Sequence, residues 1–412
     1  MYLYSIFKLF DLTNNNYKIF NINEQTQKFI RQHIDDDSHL LALAAKQNPE
    51  INISFALNQI AAHQQAKQKI PSWYLNDKLV FPPKISMEQC SSEATARYKA
   101  NLCKGENFAD LTGGSGIDFS FMSQNFKRSF YVEKDEYLSK LAKYNFDVLA
   151  LKNIEIINCS SNIFLEDSVN FDWIYIDPSR RNVNNKKEIL IENCSPDILK
   201  IKNIILKKSK NTLIKLSPVF DLVELQRKLS NITQIHVVAV KNECKELLVK
   251  MEQNCDNNIE IVCVNINDSG KQIFSFNPAN EKKIEYDFVQ NVQKYLYEPN
   301  VAIQKSGGFK SIAQRFGLKA INANSKIYTS DTYITDFYGR IFIVEDVVSF
   351  NKTELKTNLK NIKKANITVR NFPLSVADLR KKLNIDEGGD IYLFATTIFN
   401  GGKVIIKCRK DI

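Results

Sequence analysis

Three stretches of the chain place side chains where they could do chemistry: DLTGGSGID at residues 110–118, YVEKD ending the run that contains Glu133, and IDPSRRN, which carries Asp177, Pro178, Ser179, Arg180 and Arg181. In the first, an apolar run ends at Asp110 and Gly113, Gly114 and Gly116 then let the backbone turn tightly into a helix. Glycines there permit close approach of a ligand, and the carboxyl end of a strand is where open α/β sheets bind one. Asp110, Thr112, Gly113, Gly114 and Gly116 are therefore candidates for holding a nucleotide-like cofactor. Glu133 follows Asp110 by 23 residues and ends the next strand-like run; a carboxylate there can accept both hydrogen bonds of a ribose diol and disfavours a 2′-phosphate.

The loop also discriminates between cofactors. A dinucleotide loop holds pyrophosphate at a helix N-terminus, and an acid pointing into it would repel that anion. Asp110 instead suits a cofactor with positive charge near its reacting atom. Asp118 lies inside the following helix and reads as a first-turn partner of the helix dipole. Asp177 ends a further strand and faces the same crevice. Arg180 and Arg181 could stack on a base or hold a phosphate, or else pair with a nearby carboxylate. LIKLSPVFD places Lys215 and Ser217 at another strand end, near the crevice mouth or simply closing the strand.

The elements that must position these residues alternate. Strand-like runs at Phe108–Thr112, Ser129–Glu133, Ile154–Cys159, Trp173–Asp177, Thr212–Leu216 and Ile235–Val240 are mostly separated by helix-length amphipathic segments, which predicts a mainly parallel sheet covered on both faces. CKELLVKM and IEIVCVNI are expected to add antiparallel strands at one edge. Before this core, residues 1 to about 70 hold one proline and no glycine and show helical apolar spacing at Ser38–Lys46 and Ile53–Ala66. Prolines 71, 82 and 83 then predict an extended connector, and Ser92 an N-cap to an Ala-rich helix. Towards the end, ITVRNF, a helix capped by Ser375 with Asp378 as its capping-box partner, and the IYLFATTIF–NGG–KVIIKC hairpin predict a β-α-β-β unit.

The ordered set DLTGGSGID, YVEKD and IDPSRR resembles class I S-adenosylmethionine-dependent methyltransferases, and IDPSRR looks like the (Asp/Asn)-Pro-Pro-(aromatic) motif of amino-group methylating enzymes, with Ser179 in place of the second proline and Arg180 in place of the aromatic. That resemblance implies S-adenosylmethionine as cofactor, with Asp110 facing its charged methionine end directly or through water, and Asp177, Pro178 and Arg180 as the catalytic set. It also implies that Asp177 touches the cofactor and that Ser160, after the third strand, stands in for the usual adenine-binding acid. CSSEATARYK resembles the loop that closes over the cofactor in trimethylguanosine-synthase-like enzymes, without its proline. Taken whole, with YLYEPNVAIQKSGGF, KIYTSD and RNFPLSVADLRKKLNIDEGGDIYLF, the chain resembles a bacterial family with a helical N-terminal region, this core, a small ferredoxin-like domain and a C-terminal THUMP-like domain. The expected fold is thus α/β, a Rossmann-like core with an all-helical N-terminal domain and a small α+β C-terminal part. Expected domains are 1–88 helical, 89–275 S-adenosylmethionine-binding, 276–330 ferredoxin-like and 331–412 THUMP-like.

Bulk composition agrees with a folded chain of two to four domains: 412 residues, 44% hydrophobic and 25% charged. The first ten residues lack a small-residue cleavage site, and no run reaches the roughly 18 apolar residues of a membrane span, so a cytoplasmic protein is expected. Eight cysteines without a Cys-x-x-Cys spacing and four scattered histidines argue against a metal site. The net charge is +10, and residues 351–412 hold thirteen Lys and Arg against six Asp and Glu. Charge concentrated at one end suits a polyanion, or is simply a solvated face. With THUMP-type domains associated with structured RNA, the first reading is methylation of an RNA base, with Arg180, Arg181, Lys215, Arg370, Arg380 and Lys381 as substrate-binding candidates. Two alternatives stay open: methylation of a small molecule or protein, and a non-catalytic RNA-binding protein with a degenerate core.

Overall fold

The computed structural model describes residues 23–37, 41, 50–180, 190–255 and 258–410. MYLYSIFKLF and most of the helical segment expected at Ser38–Lys46 fall outside the described residues. The chain divides into two compact units, Met1–Thr233 with Leu248–Asn257, and Gln234–Leu247 with Asn258–Ile412.

The described part of the first unit opens with helices. α1 (Glu24–Gln32) starts where Asn23 accepts a hydrogen bond from the Thr26 N–H, and α2 (Ile53–Lys69) where Asn52 accepts from Phe55. Alanines and Ile60 along α2 turn inward, and Ala62, Ala66, Trp73, Phe81, Met87, Ala96 and Ile117 share one apolar cluster. The segment after α2 is not wholly extended. Pro71 begins a one-turn helix (Pro71–Tyr74), and a second short helix follows Pro83 (Lys84–Gln89). Proline is tolerated in the first turn, where its missing N–H would have no intrahelical partner. Ser92 caps α3 (Glu93–Leu102) as expected.

The sheet then forms from β1 (Gly105–Asp110), β2 (Phe126–Val132), β3 (Ile154–Ile157), β4 (Phe171–Ile176) and β5 (Ser209–Leu216). They lie in the order β3-β2-β1-β4-β5 and every one of these pairs is parallel. α4 (Ile117–Met122) follows β1, and α5 (Glu136–Val148) follows β2. β1 and β4 are buried at their carboxyl ends, as strands covered on both faces must be. The chain winds outward from β1 to β3, then restarts at β4 on the other side of β1. That reversal makes the carboxyl ends of β1 and β4 the switch point at which such sheets bind ligands.

The division between units falls inside β6 (Ile232–Val240) and β7 (Glu243–Glu252), which are joined at Lys241 and Asn242, both at positive φ. In the second unit β8 (Glu260–Asn267) pairs parallel with β6 and antiparallel with β9 (Gly270–Phe276). The expectation that IEIVCVNI would be an antiparallel edge strand is corrected: β9 covers it, and its Ile261–Asn265 run is buried as an interior strand requires. Among the described residues a seven-stranded sheet follows, with the two-residue strand Lys319–Ala320 at one edge. β10 (Tyr295–Pro299) pairs antiparallel with β11 (Tyr328–Ser330) and with β12 (Gly339–Ser349). β15 (Lys403–Lys410) pairs antiparallel with β12 and with β14 (Ile391–Thr397), and β13 (Asn366–Arg370) lies parallel to β14. The expected capping box between Ser375 and Asp378 starts the crossover helix Val376–Leu383, and Gly401 at φ +86° turns the final hairpin. The molecule is α/β with a Rossmann-like core, a helical N-terminal region and an α+β C-terminal part.

Candidate active site

The site lies wholly within the first unit, at the ends of β1 and β4. Asp110 is 1% exposed. One of its oxygens accepts hydrogen bonds from the Thr112 N–H at 2.9 Å and the Thr112 hydroxyl at 3.3 Å. The same hydroxyl accepts the Asp177 N–H at 2.6 Å. One threonine therefore ties the glycine-rich loop to the residue that follows β4. Burial raises the Asp110 carboxyl well above its usual range, opposed by the Thr112 N–H and reinforced by the negative charges of Asp118 and Asp177.

The loop's shape has definite steric causes. A Cβ on Gly113 would sit 2.2 Å from the Tyr131 ring, and the Tyr131 hydroxyl donates to the Gly114 carbonyl at 2.7 Å. Gly116 takes φ +75°, and a Cβ there would lie 2.9 Å from the Phe146 ring, a turn that a larger residue would meet with strain. Glu133 closes the loop from the side: one oxygen accepts the Gly114 N–H and the other the Asp135 N–H, each at 2.8 Å. Each carboxylate oxygen keeps a further lone pair, so the group is oriented and still able to accept. Ser160 precedes the helix Ser161–Asp167, and its side chain makes no capping bond there.

Asp177 is 38% exposed and its Oδ2 accepts from the Lys215 ammonium at 2.6 Å. Pro178 is buried, and Ser179–Arg180 pairs antiparallel with Cys194–Ser195. Arg181 and the side chain of Arg180 lie outside the described residues. Beneath Asp177 is a polar cluster that the sequence did not announce. Asp118 accepts from the Ser91 hydroxyl at 2.7 Å and the Tyr175 hydroxyl at 2.8 Å, faces Lys99 Nζ at 3.2 Å, and lies 3.7 Å from Lys215 Nζ. Burial works against the Asp118 charge, but Lys99 and Lys215, helped by both hydroxyls, hold its carboxyl below the usual range. Asp118 is thus more than a dipole partner at the start of α4; it is the hub of a buried ion cluster. Its acid among apolar residues, IDFSFM, was the available signal, but its partners come from α3, β4 and β5.

The remaining candidates are in the second unit. Arg370 donates to Glu298 at 2.8 Å and to Gln304 at 2.9 Å. Arg380 donates to the Ala365 carbonyl at 3.2 Å, and Lys381 is exposed on the same helix. Among the described residues there is no group of three or more His, Cys, Asp or Glu that could hold a metal ion, and no helix long and apolar enough to cross a membrane.

Comparison with known proteins fits this architecture. A THUMP domain-like family model matches residues 339–410 and a ferredoxin-like domain model residues 295–337. The crystal structure of a candidate methyltransferase from Porphyromonas gingivalis W83 is 30% identical, covers 97% of this chain and 100% of that one, and superposes with a TM-score of 0.86. A tRNA/tmRNA (uracil-C(5))-methyltransferase of Saccharophagus degradans is 30% identical over 137 residues, which are 27% of this chain and 36% of that protein. The chain thus spans about a third of the length of that curated relative. On these grounds the chain belongs to the bacterial family that joins a class I methyltransferase core to a ferredoxin-like domain and a C-terminal THUMP-like domain.

Proposed function

We propose that the protein is an S-adenosylmethionine-dependent methyltransferase that works in the cytoplasm on a base of structured RNA, tRNA or rRNA. The observation that carries this reading is the Thr112 hydroxyl, which bonds Asp110 on one side and the Asp177 backbone on the other. A cofactor-holding loop and an acceptor-orienting acid are thereby joined at the switch point of the sheet.

The residues suit the cofactor chemically. A carboxylate whose charge is penalised by burial, as at Asp110, gains from a cationic neighbour. Glu133, oriented by two backbone N–H groups, matches a ribose diol. Asp110, Thr112 and the glycines would hold the methionine end, Glu133 the ribose and Ser160 the adenine. S-adenosylmethionine supplies an electrophilic methyl group on a sulfonium. Displacement at such a carbon needs alignment and exclusion of water more than covalent help. Asp177 accepts a hydrogen bond from the target group and receives its proton, with the Pro178 carbonyl as second acceptor. Arg180 and Arg181 contact the RNA beside it, and Lys381 adds sequence-independent attraction to phosphate.

A methyl acceptor other than RNA, a small molecule or protein, is favoured by one observation: Arg370 is engaged by Glu298 and Gln304, which removes a cation from the proposed RNA surface. A binding-only role for a degenerate core is favoured by another, Ser179 and Arg180 standing where a proline and an aromatic would follow Pro178. The test is incubation of purified protein with radiolabelled S-adenosylmethionine and RNA from a strain lacking it, with Asp177→Ala as control. Label entering RNA with the native protein and lost in the variant supports methylation of RNA. Label appearing in protein or small molecules, insensitive to salt, supports the second reading. RNA binding with no transfer to any acceptor supports the third.

A further inference from the structure

The cluster under Asp177 contains one member more than a closed ion pair needs. Asp118 already has Lys99, whose side chain is 0% exposed, together with the hydroxyls of Ser91 and Tyr175. Lys215 is additional. Its ammonium lies 2.6 Å from Asp177 Oδ2 and 3.7 Å from Asp118 Oδ2, and its side chain is 12% exposed. It bridges a buried acid to an open one. Stability alone is a weak account of such an arrangement, because buried ion pairs contribute little net stability over apolar residues of the same volume. Partly exposed ones contribute less still.

The consequence for Asp177 is geometric. Its backbone N–H is held by Thr112, and its side chain is held at Oδ2 by Lys215. With both ends fixed, Oδ1 is, among the described residues, the carboxylate oxygen left for an incoming group, and its direction is set before that group arrives. Sites that act by alignment depend on such support, since a displacement of about 1 Å can cost about a hundredfold in rate. Lys215 is itself steadied by Asp118, which α3 supports through Lys99 and the residue before its cap, Ser91, through a hydroxyl.

We propose that Lys215 is a positioning residue, acting through Asp177 rather than on substrate, and that Asp118 and Lys99 are the buried anchor from which it works. The proposal deepens the methyl-transfer reading and rests on it for the meaning of Asp177, while the alignment of the carboxylate can be measured without catalysis.

The experiment uses the full chain and three variants: Lys215→Met, which keeps the stem and removes the charge, Lys215→Arg, and Asp118→Asn. Carbon-13 NMR of carboxyl-labelled aspartate, with Asp177→Asn to assign the resonance, reports the environment of Asp177, and crystal structures report its direction. In Lys215→Met the Asp177 signal moves and the carboxylate turns from its native direction; Lys215→Arg restores both in part, and Asp118→Asn falls between. On RNA, Lys215→Met lowers kcat roughly tenfold to a hundredfold with KM little changed, the pattern of an interaction made in the transition state. S-adenosylhomocysteine binding by calorimetry stays at the native value. In an Asp177→Ala background, Lys215→Met has no further effect, as expected of residues that act as a unit. An Asp177 signal and direction unchanged in Lys215→Met overturn the proposal, as does a raised KM with kcat unchanged, which would make Lys215 a substrate contact. If the native protein methylates nothing, the methyl-transfer reading fails while the carboxylate measurements still decide whether Lys215 positions Asp177. If Lys215→Met fails to fold, Lys215→Arg and Asp118→Asn decide by the same resonance.

Discussion

Each unit contains a buried ion cluster, and the two are built differently. In the first, two acids and two lysines alternate from Lys99 through Asp118 and Lys215 to Asp177, with exposure rising from 0% at one end to 38% at the other. In the second, Glu298, 2% exposed, is flanked by Arg340 directly across the β10–β12 pair and by Arg370 from β13. Both arginines there keep about a third of their side-chain surface in solvent (37% and 31%). The second cluster converges on one acid and fastens three strands. The first is a chain with an open end, and the open end is the acid proposed to meet the substrate. Charge balance and the position of the exposed member, more than burial as such, separate a clamp from a support.

That contrast can be broken by mutation. Asp177→Ala should give the largest change, a loss of methyl transfer by about 10²- to 10⁴-fold in the radiolabel assay, with the melting temperature little altered because the residue is partly exposed. Asp118→Ala should act mainly on stability. It removes the acid 3.2 Å from a fully buried lysine, and breaking a buried pair typically costs about 3–5 kcal/mol, read by urea denaturation. Glu298→Ala should cost less, roughly 1–3 kcal/mol, because its arginines can rehydrate, and should leave S-adenosylhomocysteine binding unchanged. If Glu298→Ala destabilised the protein as much as Asp118→Ala, the distinction between clamp and support would be lost.

The smallest expected effect concerns Asp110, which lies in the same polar region beside two other acids. Its folded-state carboxyl is raised above the unfolded value by burial. The stability it contributes is therefore present below the usual carboxylate range and is lost as pH rises through the raised value. Asp110→Asn should accordingly melt above the native protein at pH 8, with the advantage shrinking towards pH 4, while binding S-adenosylmethionine more weakly. A constant difference in melting temperature across that range would contradict the role of burial.

The ends of β1, β2 and β4 were legible to within one or two residues because Asp110, Glu133 and Asp177 stand where apolar runs close: β1 stops at Asp110 rather than Thr112, and β2 and β4 stop one residue before Glu133 and Asp177. The crossover helix and final hairpin were legible for a similar reason: Ser375, Asp378 and Gly401 are local devices with local signatures. Asp118 stands in the first turn of α4 as expected, but its cluster was not legible because it is assembled from α3, β4 and β5, and periodicity within α4 carries no information about them. The same holds for the partners of Arg370 and Arg380, substrate-binding candidates in a basic stretch: Glu298 with Gln304 for the first and the Ala365 carbonyl for the second. The pairing of β8 was missed because an apolar run does not show which neighbours a strand has, and here β6 lies parallel on one side and β9 antiparallel on the other.

The join between β10 and β12 has a practical consequence. The ferredoxin-like match ends at residue 337 and the THUMP-like match begins at 339, which invites expression of the two as separate fragments. Yet β10 and β12 are adjacent antiparallel strands in register from Tyr295 opposite Ile343 to Pro299 opposite Gly339. A cut at residue 338 would leave each fragment with a bare strand edge whose N–H and C=O groups recruit other chains. Such fragments should precipitate or self-associate, and a usable truncation would keep 295–410 together.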